Sequence, residues 1–459
     1  MARKKKLKVG NLLLTLNVIA ILGTLGFYSS RLIKYYKLEH KKNGEQDSSL
    51  LVDKLFKKKQ YVDLTKGLVC DEDNGTCKYK GNVTDNYLKY SGMLYRIIGI
   101  DNKNNAVAVS EDVVTLMYTG LENGYDKSYI NKWLNKSDLD HSGIYESVLY
   151  DEDTLDYTRS CEDSIDDLEK ITCEEINSNN KISLLSLYDY KEAGGKSSFL
   201  NNGQSYFLLS RDKDGNAYYI TPEGDISVNK NLNTVAGVRP VITINYNTEL
   251  LSGKGTKENP YIIEKHDIKT LADAYVNNYV EFDGQVFKIV NKDDESVKLA
   301  SVEVLKDGEN NYETYFSKTT NKYVKNSNIS NYLNGTYLNS FESKDLILEK
   351  PWYVGNLELG ALDYINKYKE SSKLKIGMLG LADMFVQDLN NIFTISRGIE
   401  SSDVIMIIKE DGTVFSDVIS NNHNVRSAFY VSNKIEIASG DGSLKSPFKL
   451  GGVKDEESE

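Results

Sequence analysis

The architecture of this chain follows from two matching stretches, KYSGMLYRIIGI at residues 89–100 and EFDGQVFKIVNK at residues 281–292. Gly92 and Gly284 align at an offset of 192 residues, and apolar residues alternate with polar ones around each glycine. Alternation of this kind is typical of β-strands with one buried face. The match indicates that part of the chain is duplicated, since self-similarity at a fixed period is the signature of repeated units.

Five further pairs of segments follow in the same order in both halves, at offsets of 186 to 199 residues. They are INKWLN and ISNYLN (130–135 and 329–334), KISLLSLYDY and KIGMLGLADM (181–190 and 375–384), LLSR and TISR (208–211 and 394–397), GVRPVITI and NVRSAFYV (237–244 and 424–431), and SGKGTKENPYII and SGDGSLKSPFKL (252–263 and 439–450). Six blocks that keep their order predict two tandem, diverged copies of one module, at residues 84–264 and 270–450.

Each copy shows both strand and helix signals, which predicts an α+β fold. In the first copy, GMLYRIIGI and NAVAVSEDV are separated by DNKNN, a hairpin pattern. Ile130, Trp133 and Leu134 lie at helical spacing. Ser128 is a suitable N-cap for that helix. Pro240 belongs at the start or edge of the closing strand, because proline cannot donate a ladder hydrogen bond.

Composition and charge exclude several classes of protein. The chain has 459 residues, a formal net charge of −11 at pH 7, 40% apolar residues and only 5 prolines. This composition supports packed domains and excludes a globally disordered or proline-rich chain. The charge is uneven, since residues 1–60 carry +10 and the remainder −21. Because nucleic-acid binding needs a basic surface to neutralise phosphates, the acidic body predicts no nucleic-acid partner.

The N-terminus has the pattern of a membrane anchor. Residues 12–28, LLLTLNVIAILGTLGFY, contain no charged side chain, and five basic residues precede them in the tail at 1–11. About 20 apolar residues span a bilayer, and Arg31 and Lys34 could extend the usable length by snorkelling. We interpret residues 12–30 as a transmembrane signal-anchor that joins the protein to the membrane. A cleaved signal peptide and a buried soluble helix are the alternatives.

The orientation of this anchor does not follow from charge, because five basic residues flank it on each side. The leading tail is too short to hold a domain, and the acidic body contains paired cysteines. These features predict a single-pass cell-membrane protein with an extracellular C-terminal body. Between anchor and body we expect a charged stalk or packing segment (31–66) and a disulfide hairpin (67–83). An acidic tail (451–459) follows the body.

Four cysteines fall into two local pairs, Cys70 with Cys77 and Cys161 with Cys173. A disulfide within each pair would close a small loop and stabilise the fold by about 2–3 kcal/mol in the loop-entropy picture. A zinc site is disfavoured because the C-x₂₋₄-C spacing is missing. Four free thiols are the remaining alternative. Two disulfides would imply an oxidising compartment.

A resemblance to a known family is carried by the segments YRIIGIDNKNNAVAVSEDV, INKWLN, YFLLSRDKDG, GVRPVITI and GKGTKENPYII. They resemble a domain family of unknown function that is common, often in tandem, in membrane-anchored or secreted surface proteins of low-GC Gram-positive bacteria. The resemblance covers both copies and is weaker in the second, where Tyr332 replaces Trp133 and Ser427 replaces Pro240. A looser resemblance to the C-type-lectin-like fold of formylglycine-generating-enzyme relatives implies a fold for each module and no activity.

The sequence contains no complete catalytic set. None of its histidines belongs to an H-E-x-x-H motif or neighbours a cysteine, so zinc-hydrolase and Cys/His-nucleophile hypotheses lack essential residues. These histidines are His40, His141, His266 and His423. The turns G-K-G and G-D-G lack the further residues of a phosphate loop. We therefore predict a protein that is not an enzyme and needs no cofactor or metal.

The turn DKDGN has a weak calcium-loop pattern. Asp212, Asp214 and Asn216 would offer oxygen ligands at positions 1, 3 and 5 of an EF-hand loop. The glycine required at position 6 is replaced by Ala217, and the flanks are predicted strands rather than helices. A plain hairpin turn is therefore the favoured interpretation, and a calcium site is the alternative.

Arginine next to apolar strand residues is the main pointer to a ligand site. Arg239 and Arg211 recur in the second copy as Arg426 and Arg397. A buried arginine needs a partner, because breaking a buried pair costs about 3–5 kcal/mol. An internal salt bridge or a carbonyl clamp would supply that partner. Alternatively, the arginines line a cleft for an acidic group.

Aromatic residues are the other candidate ligand contacts, namely Trp133, Tyr218 and Tyr219. Aromatic rings suit the apolar faces of sugars, and they equally suit a core or a protein interface. The leading hypothesis is a membrane-anchored cell-surface protein that displays tandem non-catalytic recognition modules for an envelope or extracellular ligand, a glycan or a protein. The alternatives are a structural envelope-assembly protein and a hydrolase or modifying enzyme acting on surface polymers.

Overall fold

The computed structural model describes residues 49–119, 125, 128–135, 145–149, 154–155, 158–160, 164–165, 167–168, 171, 176–178, 180–230, 234–352, 373–389, 392–398 and 401–453. The predicted anchor at 12–30 lies outside these residues, as does the greater part of the predicted acidic tail. Cys161 and Cys173 also lie outside them, so their disulfide stays a prediction.

Among the residues that the structure describes, β-strands account for 39% and helices for 13%. The α+β prediction is therefore wrong. Segments with helical spacing do form helices, but each α-helix in the described residues has only five or six residues. These helices are α1 (Leu51–Phe56), α2 (Tyr129–Leu134), α3 (Leu187–Glu192) and α4 (Asn328–Tyr332). Elements of one or two turns are too short to form a helical layer.

The prediction of a transmembrane helix also needs correction. Within the part of the chain that the structure describes, no helix has the length and apolar character to cross a membrane. A six-residue helix is about 9 Å long, whereas the hydrocarbon core is about 30 Å thick. The structure therefore does not support the predicted single-pass cell-membrane location.

Strands of the described residues up to residue 264, here called the first half, are β1 (Lys59–Gln60), β2 (Gly67–Asp71), β3 (Thr76–Lys80), β4 (Tyr87–Tyr90), β5 (Met93–Ile100), β6 (Ala106–Ser110), β7 (Thr115–Met117), β8 (Thr158–Ser160), β9 (Ser164–Ile165), β10 (Ile176–Ser178), β11 (Ser183–Leu184), β12 (Tyr206–Asp212), β13 (Ala217–Ile220), β14 (Ile226–Val228), β15 (Ala236–Val238), β16 (Pro240–Ile244) and β17 (Tyr261–Ile262).

Strands of the described residues after residue 264, the second half, are β18 (Tyr279–Phe282), β19 (Gln285–Lys292), β20 (Ser296–Ser301), β21 (Lys306–Asp307), β22 (Asn310–Asn311), β23 (Glu313–Tyr315), β24 (Ile347–Leu348), β25 (Lys350–Pro351), β26 (Lys373–Leu374), β27 (Ile376–Gly377), β28 (Ile392–Arg397), β29 (Val404–Ile408), β30 (Val414–Val418), β31 (Asn422–Asn424), β32 (Ala428–Ser432), β33 (Ile435–Ser439) and β34 (Phe448–Val453).

The main sheets of the two halves share one strand order. It is β16-β6-β5-β4-β17 in the first half and β32-β20-β19-β18-β34 in the second. Neighbouring strands are antiparallel, except that β4–β17 and β18–β34 are parallel. The smaller sheets repeat as well, as β14-β13-β12 and β30-β29-β28. Pro240 is the first residue of β16, which confirms its predicted position.

Side-chain hydrogen bonds also repeat between the halves. The side-chain amide of Asn135, which follows α2, makes two hydrogen bonds to the main chain of Ile182. Its Nδ2 donates to the Ile182 carbonyl and its Oδ1 accepts the Ile182 N–H, both at 2.8 Å. Asn334 holds Ile376 in the same way, at 2.8 and 2.9 Å. The two halves therefore correspond residue by residue at these points. The module boundaries, 84–264 and 270–450, stay a prediction.

The described part of the predicted stalk packs against the first half. In α1, Leu51 and Leu55 are fully buried, and the Leu51 N–H donates to the Thr248 carbonyl at 3.0 Å. The short strand β1 pairs with β2 and so joins the main sheet. Residues 49–60 thus pack against the first half, and the boundaries 31–66 of the charged stalk or packing segment stay a prediction.

The hairpin β2–β3 extends the main sheet of the first half, because β3 pairs with the end of β5. Cys70 and Cys77 lie directly opposite each other and form a disulfide, which confirms the first predicted pair. Gly99 makes room for this hairpin, since a Cβ at that position would lie 2.2 Å from the Cys77 carbonyl oxygen. At the corresponding position the second half has Asn291, which lies at a register shift.

Candidate functional site

The predicted ligand residue Arg239 lies inside the molecule. It is 1% exposed, and its Nε and Nη1 donate to the carbonyls of Ser110 and Leu200 at 2.9 and 2.8 Å. Its guanidinium also lies 4.7 Å from the centroid of the Tyr206 ring. This geometry is the carbonyl clamp that the sequence left open as an alternative. Arg239 therefore stabilises the fold and offers no contact to a ligand from solvent.

The other predicted contacts of the first half do not meet in a cleft. Arg211, at the end of β12, is 7% exposed. Tyr218 of β13 is 6% exposed, and its hydroxyl donates to the Ile165 carbonyl at 3.3 Å. Tyr219 is half-buried and packs edge-on against Phe207, with ring centroids 6.2 Å apart. These side chains pack in and around the smaller sheet.

The DKDGN segment is a hairpin turn that is closed by its own aspartate. The Asp212 carboxylate accepts the N–H groups of Asp214 and Asn216 at 2.9 and 2.8 Å, and the Asn216 amide at 3.0 Å. Burial alone would raise the pKa of Asp212, but these hydrogen bonds lower it on balance. In DNKNN, Asp101 accepts hydrogen bonds in the same way. The pattern D-x-x-x-N is thus a sequence signal for this turn.

Sequence reasoning missed a buried ionic network at the hairpin β4–β5. Arg96 is buried, pairs with Glu111 at 3.3 Å and donates to the Asn86 side chain at 2.8 Å. Burial lowers the pKa of Arg96, while Glu111 opposes that shift. The corresponding residue of the second half, Lys288, pairs with Asp388 at 2.7 Å. Both halves therefore have a buried cation at this position, and its carboxylate partner differs between them. We interpret the two ion pairs as structural.

A groove of about 480 Å³ lies between the disulfide hairpin and helix α3. We call it the hairpin groove. Its polar and aromatic lining includes Asp71, Asn74, Lys78 and Lys80 from the hairpin, and Tyr188 and Glu192 from α3. Because the disulfide ties β2 to β3, the hairpin side of the groove is held in one shape.

Ion pairs neutralise the lysines of the hairpin groove. Lys78 pairs with Asp189 and lies 6.0 Å above the ring of Tyr188. Lys80 pairs with Glu192 at 3.0 Å. The groove therefore presents ammonium donors beside carboxylate acceptors, with little net charge from these pairs.

A capping box positions the α3 side of the hairpin groove. The Ser186 hydroxyl accepts the Asp189 N–H at 3.0 Å, and the Asp189 carboxylate accepts the Ser186 N–H at 3.4 Å. This reciprocal cap begins α3 at Leu187, and Tyr188 follows in its first turn. The sequence SLYD carries this signal, although it does not show which surface the helix will face.

The two halves contact each other through β7 and α2 of the first half and a loop of the second. The Thr115 hydroxyl lies 2.7 and 2.9 Å from the carbonyl oxygens of Leu381 and Asp383. The Trp133 indole N–H donates to the Ala382 carbonyl at 3.0 Å. Trp133 is 0% exposed, so this predicted ligand contact is an interface residue.

The loop of the second half, residues 378–389, is here called the docking loop. Within it, the Phe385 N–H donates to the Val114 carbonyl of the first half. Phe385 has a φ of 55°, a left-handed conformation that costs a non-glycine residue about 1–2 kcal/mol. The ammonium of Lys288, which also belongs to the second half, lies 4.7 Å from the centroid of the Phe385 ring. The interface contacts thus offset backbone strain in the docking loop.

The docking loop corresponds to α3 but does not form an α-helix. Where α3 has the N-cap Ser186, the loop has Gly380, which has no hydroxyl to accept the N–H of Asp383. Only this half of the capping box is missing, because Asp383 accepts the Gly380 N–H at 2.7 Å, as Asp189 accepts the Ser186 N–H; Asp383 also pairs with Lys298 at 2.6 Å. Main-chain carbonyls that a helix would use internally are therefore available to the first half.

Comparison with family models, with curated proteins and with solved structures gives no match for this chain. The resemblance to a tandem surface-domain family and the looser one to the C-type-lectin-like fold therefore stay predictions.

Among the residues that the structure describes, no group of three or more His, Cys, Asp and Glu side chains could hold a metal ion. The geometry of the hairpin groove is thus the basis for a functional proposal.

Proposed function

We propose that the protein is a non-catalytic binding protein whose hairpin groove takes a segment of a neutral glycan. The observation that supports this most directly is the lining of the groove, which combines two lysines, each paired with a carboxylate, with the ring of Tyr188. Its volume of about 480 Å³ lies within the range of about 300–1,000 Å³ that is typical of small-ligand sites.

The matched charges of the groove favour a neutral ligand. An anionic ligand that approached Lys80 would compete with Glu192, and a cationic ligand that approached Glu192 would compete with Lys80. A sugar hydroxyl both donates and accepts, as other hydroxyl groups do, so it can use the two side chains without separating them. This complementarity supports a glycan over a charged polymer.

Tyr188 supplies the apolar part of the proposed site. It is half-buried on α3, and its ring lines the groove. An aromatic face suits the apolar face of a sugar ring, while the exposed amides of Asn74 and Asn102 at the groove can bind hydroxyls. The site therefore combines a ring for stacking with polar groups for orientation.

The experiment that tests this proposal is an array of neutral and acidic oligosaccharides probed with the full chain, followed by calorimetric titration of the strongest binder. We expect neutral oligosaccharides to bind. Tyr188→Ala should weaken the affinity by about tenfold, which corresponds to about 1.4 kcal/mol.

Tyr246→Ala is the matched control, because Tyr246 is 55% exposed and does not line the groove. Its affinity should equal that of the unaltered chain. An array without signal, or an equal loss of affinity in both variants, would refute the proposed site.

A further inference from the structure

The first half binds the docking loop through a surface that we call the receiving surface. It contains Val114, Thr115 and Trp133, each at most 1% exposed. Thr115 and Trp133 contact three main-chain carbonyls of the loop, and the Val114 carbonyl accepts a main-chain N–H. The receiving surface therefore binds main-chain groups of an irregular segment through these hydrogen bonds, and none of these hydrogen bonds involves a side chain of the segment.

The second half has a surface in the corresponding place. The N–H groups of Val114 and Leu305 donate to equivalent main-chain carbonyls, at 2.9 and 2.8 Å, so Leu305 corresponds to Val114. Strand β23 pairs with β31 as β7 pairs with β15. The register of these pairs places Tyr312 where the first half has Thr115.

Tyrosines form this surface in the second half. Tyr332 of α4 aligns with Trp133 of α2, and its ring stacks on that of Tyr312 with centroids 3.8 Å and planes 12° apart. Tyr315 of β23 has the Lys318 ammonium 5.4 Å from its ring centroid. All three tyrosines are partly exposed, unlike the receiving surface of the first half. We call them the tyrosine face.

The hairpin β21–β22 is inserted at the rim of the tyrosine face, between Leu305 and Tyr312. The Tyr312 N–H donates to the Leu305 carbonyl at 2.7 Å, so the acceptor that binds Phe385 in the first half is used internally here. A partner would therefore be held through the tyrosine side chains. Both hydroxyls are protonated donors at neutral pH, as in an ordinary tyrosine, and burial raises the pKa of Tyr312 and of Tyr332 further.

We propose that the tyrosine face is a docking surface for a polypeptide segment of irregular backbone, whose main-chain carbonyls accept hydrogen bonds from the tyrosine hydroxyls. The equivalent surface of the first half already binds such a segment. Tyrosine suits this role because its ring buries a large apolar area while its hydroxyl finds a partner. The partner is a separate protein, since the docking loop of this chain is held by its own first half.

The test uses a fluorescein-labelled synthetic peptide of residues 378–389, which presents the carbonyls that the first half recognises. The peptide is titrated with the full chain, and binding is followed by fluorescence anisotropy. We expect saturable binding, and the double variant Tyr312→Ala/Tyr332→Ala should lower the affinity at least about tenfold, since interface tyrosines are frequent hot spots. Tyr246→Ala, a control at an exposed tyrosine of the first half, should leave the affinity unchanged.

Two results would overturn the proposal: no saturable binding, or binding that persists in the double variant. In the second case, loss of binding in Thr115→Val would place the peptide on the first half. If circular dichroism shows that the double variant does not fold, a photo-reactive form of the peptide is cross-linked to the unaltered chain instead, and the sites of cross-linking are mapped. Cross-links to residues 305–315 or 328–333 support the proposal, and cross-links elsewhere overturn it. The Tyr188→Ala variant reports on the hairpin groove separately.

Discussion

Gly99 determines whether the disulfide hairpin can join the main sheet. Because a Cβ at this position would lie 2.2 Å from the Cys77 carbonyl oxygen, Gly99→Ala should push β3 away from β5. We expect the free energy of unfolding to fall by about 1–3 kcal/mol, as it does for overpacked sites, and urea unfolding measures it. Ligand affinity should fall as well, since the hairpin is one wall of the hairpin groove.

Gly335→Ala is the control for this prediction, because a Cβ at Gly335 would have no heavy atom within 4 Å. It should cause no loss of stability. If both variants lose the same stability, the close approach at Gly99 is not the cause.

Lys292, at the end of β19, is a cation that burial disfavours. Burial lowers the pKa of Lys292 to about 8 against an opposing effect of Asp273, and its Nζ donates to the carbonyls of Ala272 and Ala274 at 2.5 and 2.6 Å. Since the unfolded chain holds this proton more tightly, stability should rise from pH 8 to 10.5. The gain relative to Lys292→Met should be about 3 kcal/mol, at about 1.4 kcal/mol for each unit of pKa.

Urea unfolding of both proteins at several pH values measures this difference, and contributions from other titrating groups cancel in the comparison. A difference between wild type and Lys292→Met that stays constant from pH 7 to 10.5 would contradict a lowered pKa for Lys292.

At the scale of the element, the docking loop and α3 show what one capping residue does. Gly380→Ser would supply the hydroxyl that the loop lacks, and its Cβ would meet nothing closer than Ser396 Oγ at 3.5 Å. Serine is a better N-cap than glycine by about a few tenths of a kcal/mol, so we expect a larger population of a helical loop, which withdraws its carbonyls from the first half. In a Trp352→Phe background, the fluorescence of Trp133 should then shift slightly to the red and become more accessible to acrylamide.

Gly380→Ala adds the same Cβ without the hydroxyl and is the matched control. It should leave the emission of Trp133 close to that of the parent. An equal red shift in both variants would attribute the change to the added carbon rather than to capping.

Hairpins are the elements that the sequence predicts best. GMLYRIIGI and NAVAVSEDV form β5 and β6, as the hairpin pattern around DNKNN predicts. Their turn residues and two-residue alternation act over a few positions, so a local pattern is sufficient. The helix capped by Ser128 is also predicted correctly, but its short length, which decides the fold class, depends on packing.

The candidate site is harder to predict than the strands. A ligand contact and an internal clamp both need a hydrogen-bond donor, so residue type alone could not place Arg239 or Tyr218. Trp133 looks like a stacking platform for a ligand but meets the docking loop, 249 residues further along the chain. The hairpin groove exists because Lys78 meets Asp189, 111 residues away in sequence. Local patterns do not report contacts at such separations.

At the scale of the whole molecule, the interface predicts that the two halves stabilise each other. Thr115→Val would leave the carbonyls of Leu381 and Asp383 without their hydroxyl partner, at a cost of about 1–3 kcal/mol. We expect a lower Tm and a broadened or split transition in scanning calorimetry, because the halves would then unfold less cooperatively.

Thr243→Val is the control for the interface variant. Thr243 is buried in β16, and its hydroxyl has no hydrogen-bond partner among the described residues, so its replacement should be neutral or slightly stabilising. A Thr115→Val chain that melts as the control does would show that the interface adds little to stability.

The strand order has a consequence for synthesis on the ribosome. Val109 of β6 pairs with Val241 of β16, and Val297 of β20 pairs with Val431 of β32. A nascent chain therefore carries β6 with an open edge until β16 has emerged, and β20 with an open edge until β32 has emerged. Open edges recruit other strands. A chain released before β32 is made would thus be an aggregation hazard, and the cell has reason to shield the open strands until their partners have emerged.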